Sequence, residues 1–161
     1  MEKDFLKELE FLGVTARIKR LSDSLFYDIK SLYNANGIDI EPSWHLVLLI
    51  LKRKEFLSMV ELSELLSLSK PAVTKMIKKM QQLDYIVIDS DGADNRKKMI
   101  TLSAKAIDNM PKFEKIWDAG QRSVQQILEG TPYFMDALSD FERKHSEESF
   151  SKRALKNLTN D

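Results

Sequence analysis

Residues 68–82 read LSKPAVTKMIKKMQQ, four lysines and no acid, inside a chain of 161 residues that carries 25 basic and 25 acidic side chains. At that acid content an acid-free window of fifteen arises by chance roughly one time in twelve, so the charge run needs support from its surroundings. Its spacing gives the first support. Drawn as a helix over 70–83, Val73, Ile77 and Met80 share one side, with Met76 and Leu83 adjoining. Lys70, Thr74, Lys78 and Gln81 fall opposite, flanked by Pro71, Lys75 and Gln82. Ser69 suits an N-cap and Pro71 a first helical turn. The segment therefore reads as a helix with one apolar side and an outward side of lysine, threonine and glutamine without a carboxylate.

Toward the N-terminus, residues 58–61, SMVE, fit a capping box that opens a short helix with Leu62, Leu65 and Leu66 inward. The run SWHLVLLILKR after Pro42 is apolar nearly all round and reads as a central helix, with Pro42 in its first turn. Toward the C-terminus the period changes. YIVIDS at 85–90 and KKMITL at 97–102 alternate, so Ile86, Ile88, Ile100 and Leu102 can share one face. DGADNR between them is rich in turn formers and reads as a loose polar tip. Helix, helix, short turn, helix and hairpin make a helix-turn-helix with a β-wing, in which the second helix of the pair enters a major groove.

Longer helical patterns flank this core. Phe5, Leu9, Leu12 and Ala16 form one row, and Ile18, Leu21, Leu25, Ile29 and Leu32 continue it, with an interruption at Gly13 and an end at the turn NANG, 34–37. A row this long serves either a core or a face against another subunit. Ser103 can cap a further helix that runs to Gly130, with a kink expected at Pro111. Thr131 and Pro132 open a last helix carrying Phe134, Leu138, Phe141, Leu155 and Leu158. Its middle, ERKHSEES, is polar all round and reads as a solvated turn or frayed helix. The expected fold is mainly α with a small two- or three-stranded β-wing.

Side-chain chemistry divides the labour on the outward face. Ser69 and Thr74 can donate to phosphate or reach a base edge, and Pro71 and Ala72 can touch thymine methyls. Lys70, Lys75, Lys78 and Lys79 are flexible point charges suited to neutralising phosphates. At the wing, Arg96, Lys97 and Lys98 follow the exposed turn, and an arginine there can enter a narrow minor groove. Asp94 fits a role in holding the turn or orienting a basic neighbour. A solvated lysine-rich face is the plain alternative for the helix taken alone.

Residues 62–74, LSELLSLSKPAVT, resemble the helix-turn-helix of the MarR family of bacterial transcription regulators. DNRKKMITLS at 94–103 is similar to that family's wing signature at every fixed position. The resemblance implies a homodimer on double-stranded DNA, and the absence of cysteine suits a reducing, cytoplasmic location. Residues 1–35 and 104–161 would form a helical dimerisation region, and residues 38–103 the winged helix-turn-helix DNA-binding region. It also implies Arg96 in the minor groove and, for many members, release by a small aromatic or phenolic effector. The sequence departs from the family pattern at Ser67 and Asp84, where glycine is frequent. Both tolerate left-handed backbone better than most residues.

Other classes are poorly served. The chain has no cysteine, which excludes disulfides, thiolate metal sites and thiol chemistry. Its histidines, His45 and His145, are far apart in sequence and lack a ligand-spaced partner. His45 reads as a core or pocket-lining histidine with a hydrogen-bond partner, and Trp44 and Trp117 either pack in a core or line a cleft. No phosphate loop, catalytic pair or cofactor motif is visible, so neither an enzyme nor a cofactor is expected. The acidic, amphipathic start does not read as a secretory signal, and no apolar run approaches a membrane span. A winged-helix docking module is the competing function; it would need apolar anchors on the outward helix face.

Overall fold

The computed structural model describes residues 4–91 and 94–159, and side chains among them outside 90–97. It forms two compact units, Met1–Phe113 and Glu114–Asp161.

The first unit opens with α1 (Phe5–Glu8), a 3₁₀ turn (Glu10–Gly13) and α2 (Val14–Ala35). The interruption expected near Gly13 is therefore real. Glycine suits the close approach there: a Cβ on Gly13 would meet the Leu6 carbonyl oxygen at 2.2 Å. Asp4 caps α1 through the Leu6 N–H and accepts two hydrogen bonds from the Arg20 guanidinium, at 3.1 and 2.8 Å. Of the 22 residues in α2 only Tyr33 is buried. Ile18, Leu21, Leu25, Phe26 and Leu32 all stand open, Ile18 at 52%.

Next come α3 (Trp44–Lys54), β1 (Phe56–Ser58), α4 (Met59–Leu66), α5 (Lys70–Gln82), β2 (Ile86–Asp91), β3 (Asp94–Leu102) and α6 (Ala104–Ile127). Pro42 precedes α3 instead of occupying its first turn, because Ser43 takes the N-cap position. The capping box forms: Ser58 Oγ accepts from the Glu61 N–H, and the Glu61 carboxylate accepts from the Ser58 N–H. The same serine ends β1, so one residue closes a strand and opens a helix. On α4, Leu62 is buried and Leu66 half-buried, but Leu65 lies outward, against expectation.

The strands form one antiparallel sheet in the order β1-β3-β2. The two segments pair as the expected hairpin, with Ile86 facing Leu102 and Ile88 facing Ile100; Leu57 of β1 faces Ile100 from the other side. The third strand explains how a marginal hairpin is stabilised. Ile100, fully buried, ties it to the core formed by Val47, Leu48, Leu51, Leu62, Val73, Ile77 and Met80. Trp44 meets Tyr85 edge-on at 6.1 Å between ring centroids, and Tyr85 meets Phe113 at 5.9 Å.

Three helices of this unit stop in one way. After α2, Gly37 N–H bonds Asn34 O and Ile38 N–H bonds Tyr33 O; after α4, Ser67 bonds Glu64 and Leu68 bonds Ser63; after α5, Asp84 bonds Gln81 and Tyr85 bonds Met80. Each is a Schellman turn, which needs a left-handed residue at its centre. Gly37, Ser67 and Asp84 take φ of 61°, 51° and 58°. The two departures from glycine noted in the sequence sit in the strained conformation that glycine would relieve.

In the second unit, α6 has passed through Pro111 and continues to Ile127; α7 (Phe134–Glu147) and α8 (Phe150–Thr159) follow. The polar stretch ERKHSEES is mostly helical, the break falling at Glu148–Ser149. Arg143 bridges Asp140 and Glu147 across successive turns, which offsets the lack of an apolar face there. The Arg153 guanidinium donates to the Lys144 and Glu148 carbonyls and closes the α7–α8 corner. No residue of α7 or α8 is buried.

Replacing Ser67 by glycine should raise stability. A non-glycine residue in left-handed backbone costs roughly 1–2 kcal/mol, and glycine's extra unfolded freedom offsets roughly 0.5–1 kcal/mol of that. The urea midpoint of Ser67→Gly is expected to rise; a lower midpoint would show that the turn carries no strain.

Candidate nucleic-acid interface

Helix α5 is capped by the Ser69 hydroxyl oxygen, which accepts from the Ala72 N–H, with Pro71 in the first turn. Val73, Ile77 and Met80 are buried, which fixes the rotation of the helix. Every predicted contact residue on it is consequently exposed: Ser69, Lys70, Pro71, Ala72, Thr74, Lys75, Lys78 and Lys79, together with Gln81 and Gln82. From residue 65 to residue 83 the chain holds no acid, so α5 contributes no carboxylate to its own outer face. The first turn adds its unpaired N–H groups and the positive end of the helix dipole. A cationic, acid-free helix side of this kind suits a polyanion.

Thr74 makes a bond within its own helix. The Thr74 hydroxyl donates to the Lys70 carbonyl at 2.8 Å, so its proton is committed to the helix and its oxygen is left to accept. At the wing, Asp94, Arg96 and Lys97 belong to β3, but their side chains lie outside the described residues. Lys98 is exposed, on the strand position facing Ser90.

The far end of α5 is held by groups the sequence reading missed. Lys105, at the start of α6, donates to the Leu83 carbonyl at 2.8 Å and to Asp39 at 3.3 Å. Its ammonium also lies 4.1 Å from the centre of the Tyr85 ring. The Tyr85 hydroxyl donates to the other Asp39 carboxylate oxygen. Ser103, the N-cap expected for α6, accepts from the Ala106 N–H and donates to the Asp84 carbonyl at 2.5 Å. A cation at a helix C-terminus satisfies orphan carbonyls and opposes the negative dipole end. Burial pushes the Asp39 carboxyl up, but the bonds from Tyr85 and Lys105 outweigh it and hold the group below its usual range. Nothing in the local sequence pairs residues 39, 85 and 105; only the fold brings them together.

Trp44 is a core residue. His45 is half-buried and its Nδ1 hydrogen-bonds the Pro42 carbonyl at 2.6 Å, in keeping with the expected partnered histidine. Among the described residues no group of three or more His, Cys, Asp or Glu could hold a metal ion, and no helix is long and apolar enough to cross a membrane.

With this geometry in view, residues 38–97 match a family model described as MarR family. That segment spans α3 to the wing. The fold is also similar to solved structures. One is a MarR protein from Peptoclostridium difficile, 19% identical, with a TM-score of 0.68 over 91% of this chain and 94% of that one. Another is reduced AbfR bound to DNA, 21% identical, with a TM-score of 0.63 over 91% and 92%. A third is a cysteine-to-serine mutant of MarR from E. coli complexed with operator DNA, 20% identical, with a TM-score of 0.61 over 88% and 98%. No curated protein matches the sequence.

The anchoring of α5 has a measurable signature. Burial, and then the Asp39 carboxylate, raise the Tyr85 phenol above its ordinary pKa of 10.0. The neutral phenol is the form that donates, so its contribution to stability is fully present below pH 10 and is lost as pH rises beyond it. In an ultraviolet pH titration, the difference between the parent and Tyr85→Phe is expected to appear only above pH 10. A difference with its midpoint near 10 would mean that Tyr85 is neither buried nor bonded to Asp39 as described.

Proposed function

We propose that this chain, whose winged helix is of the MarR family, is a transcription regulator that binds double-stranded DNA sequence-specifically, as a homodimer on a pseudo-palindromic operator. MarR-family proteins are transcription regulators, not enzymes. The observation that carries the reading is the outer side of α5. It presents Lys70, Lys75, Lys78 and Lys79 on a helix that carries no acid of its own and whose rotation the core has fixed. The lysines supply sequence-independent grip; Ser69, Pro71, Ala72 and the Thr74 oxygen are the candidates for reading bases. Arg96 takes the minor groove, with Lys97 and Lys98 on the phosphates beside it and Asp94 holding the wing. Similar folds are known bound to DNA, which supports the same class of ligand here.

The homodimer rests on exposed apolar surface. Phe11, Ile18, Leu21, Leu25 and Phe26 in the N-terminal helices, and Phe134, Leu138, Phe141, Phe150, Leu155 and Leu158 in the C-terminal ones, stand open to solvent, Phe11 at 91% and Leu155 at 62%. Large apolar side chains left exposed in this number within each unit are what supports a partner surface. We assign residues 1–35 and 104–161 to a shared dimer base and residues 38–103 to each DNA-binding lobe. Repression follows from occupancy of the operator, with release by a small aromatic or phenolic molecule as the means of control. A docking module would need large apolar anchors on the outer side of α5, where lysines and glutamines stand instead.

The test is a salt series on a duplex selected from a random pool. The slope of log K against log salt for Lys78→Ala should be shallower than the parent's by about one unit, the signature of one lost phosphate contact. Arg96→Ala should weaken binding while leaving the protein folded. Unchanged slopes and affinities in both variants would contradict the assignment.

A further inference from the structure

Segment 37–41 connects α2 to the winged helix, and three lysines converge on it from two helices. Lys30 of α2 donates to the Ile40 carbonyl and to Glu41, each at 3.1 Å. Lys112 of α6 approaches the Gly37 carbonyl at 3.5 Å. Lys105 of α6 binds Asp39 and, beyond it, the Leu83 carbonyl at the end of α5. Lys105 and Lys112 are seven residues apart, two turns, and so lie on the same side of α6. Within this small volume each ammonium meets at least one backbone carbonyl or a carboxylate of the segment that leads into the lobe. Lys105 alone touches the linker, the last turn of α5 and the Tyr85 ring.

We propose that Lys30, Lys105 and Lys112 form a clamp that sets the angle at which the DNA-binding lobe leaves α2 and α6. In a two-fold dimer that angle determines how far apart the two α5 helices stand, and hence which half-site spacing is accepted. The three lysines are positioning residues; none of them is assigned a contact with DNA. The physical basis is rigidity. A five-residue linker held at both backbone and side chains has few alternative paths, and the Lys105–Asp39–Tyr85 set ties it to the same helix end that must sit in the groove. Removing the ammonium groups frees the linker without altering the lysine face of α5. The inference rests on the DNA-binding reading above, and its consequence is separate from affinity: loss of the clamp relaxes discrimination between spacings.

The experiment compares the selected duplex with the same half-sites moved apart by one base pair. Each inserted pair lengthens and rotates the site, so the parent should lose roughly tenfold or more in affinity. Lys105→Met and Lys30→Met keep the aliphatic stem and remove the charge. Each is expected to reduce the discrimination ratio to about threefold or less, with an unchanged slope of log K against log salt. Lys78→Met, on the α5 face, serves as the control; it should weaken binding to both duplexes equally and leave the ratio intact. Circular dichroism and the unfolding midpoint show that each variant is folded, and either clamp variant suffices if the other is not. Clamp variants that discriminate as the parent does would overturn the clamp alone. A parent that binds both spacings equally would overturn it too. A parent that retains no duplex would overturn the DNA-binding reading and, with it, this inference.

Discussion

Val73, Ile77 and Met80 bury one side of α5, and that single act of packing determines what the other side can be. A helix has no freedom to rotate once three residues at positions 73, 77 and 80 are locked into a core. The lysines then cannot turn inward, and the outer side is cationic by geometry as much as by composition. The cap at Ser69 fixes where the helix starts; the Schellman turn at Asp84 and the Ser103 and Lys105 contacts fix where it stops. The sheet completes the frame, because Ile100 of the central strand packs between Leu57 and Ile88.

The same constraint sets the balance between grip and reading. Lysine binds phosphate as a mobile charge and pays in side-chain entropy for a fixed geometry, so four lysines on one helix favour affinity over base discrimination. In the homodimer we propose, sequence information comes from the few short side chains near the helix start and from the relative placement of the two lobes. On the same proposal that placement is set by elements outside the groove: the exposed apolar rows of the N- and C-terminal helices and the lysine-bound linker at 37–41. Neutral total charge fits this division, since attraction to a polyanion requires only that charge be segregated.

Much of this was legible in the sequence, for local reasons. The capping box at 58–61, the N-caps at Ser69 and Ser103 and the alternation of the two hairpin strands depend on residues near in sequence. The strand at 56–58 is three residues long and gave no alternation to detect. Leu65 was misplaced inward because a helix of eight residues offers too few turns to fix its buried side. The helical state of ERKHSE was underestimated because its support is ionic, between residues three and four apart, and not apolar. The Asp39–Tyr85–Lys105 set was invisible, since its members are separated by 46 and 66 residues in sequence.

The central claim is that two copies of this chain present two lysine-faced helices to one side of one duplex. Hydroxyl-radical footprinting on a selected duplex tests it most directly, because it maps backbone protection at single-nucleotide resolution. Two protected patches, related by two-fold symmetry and centred about one helical turn apart, are expected. One unpaired patch, or uniform protection along the duplex, would contradict it.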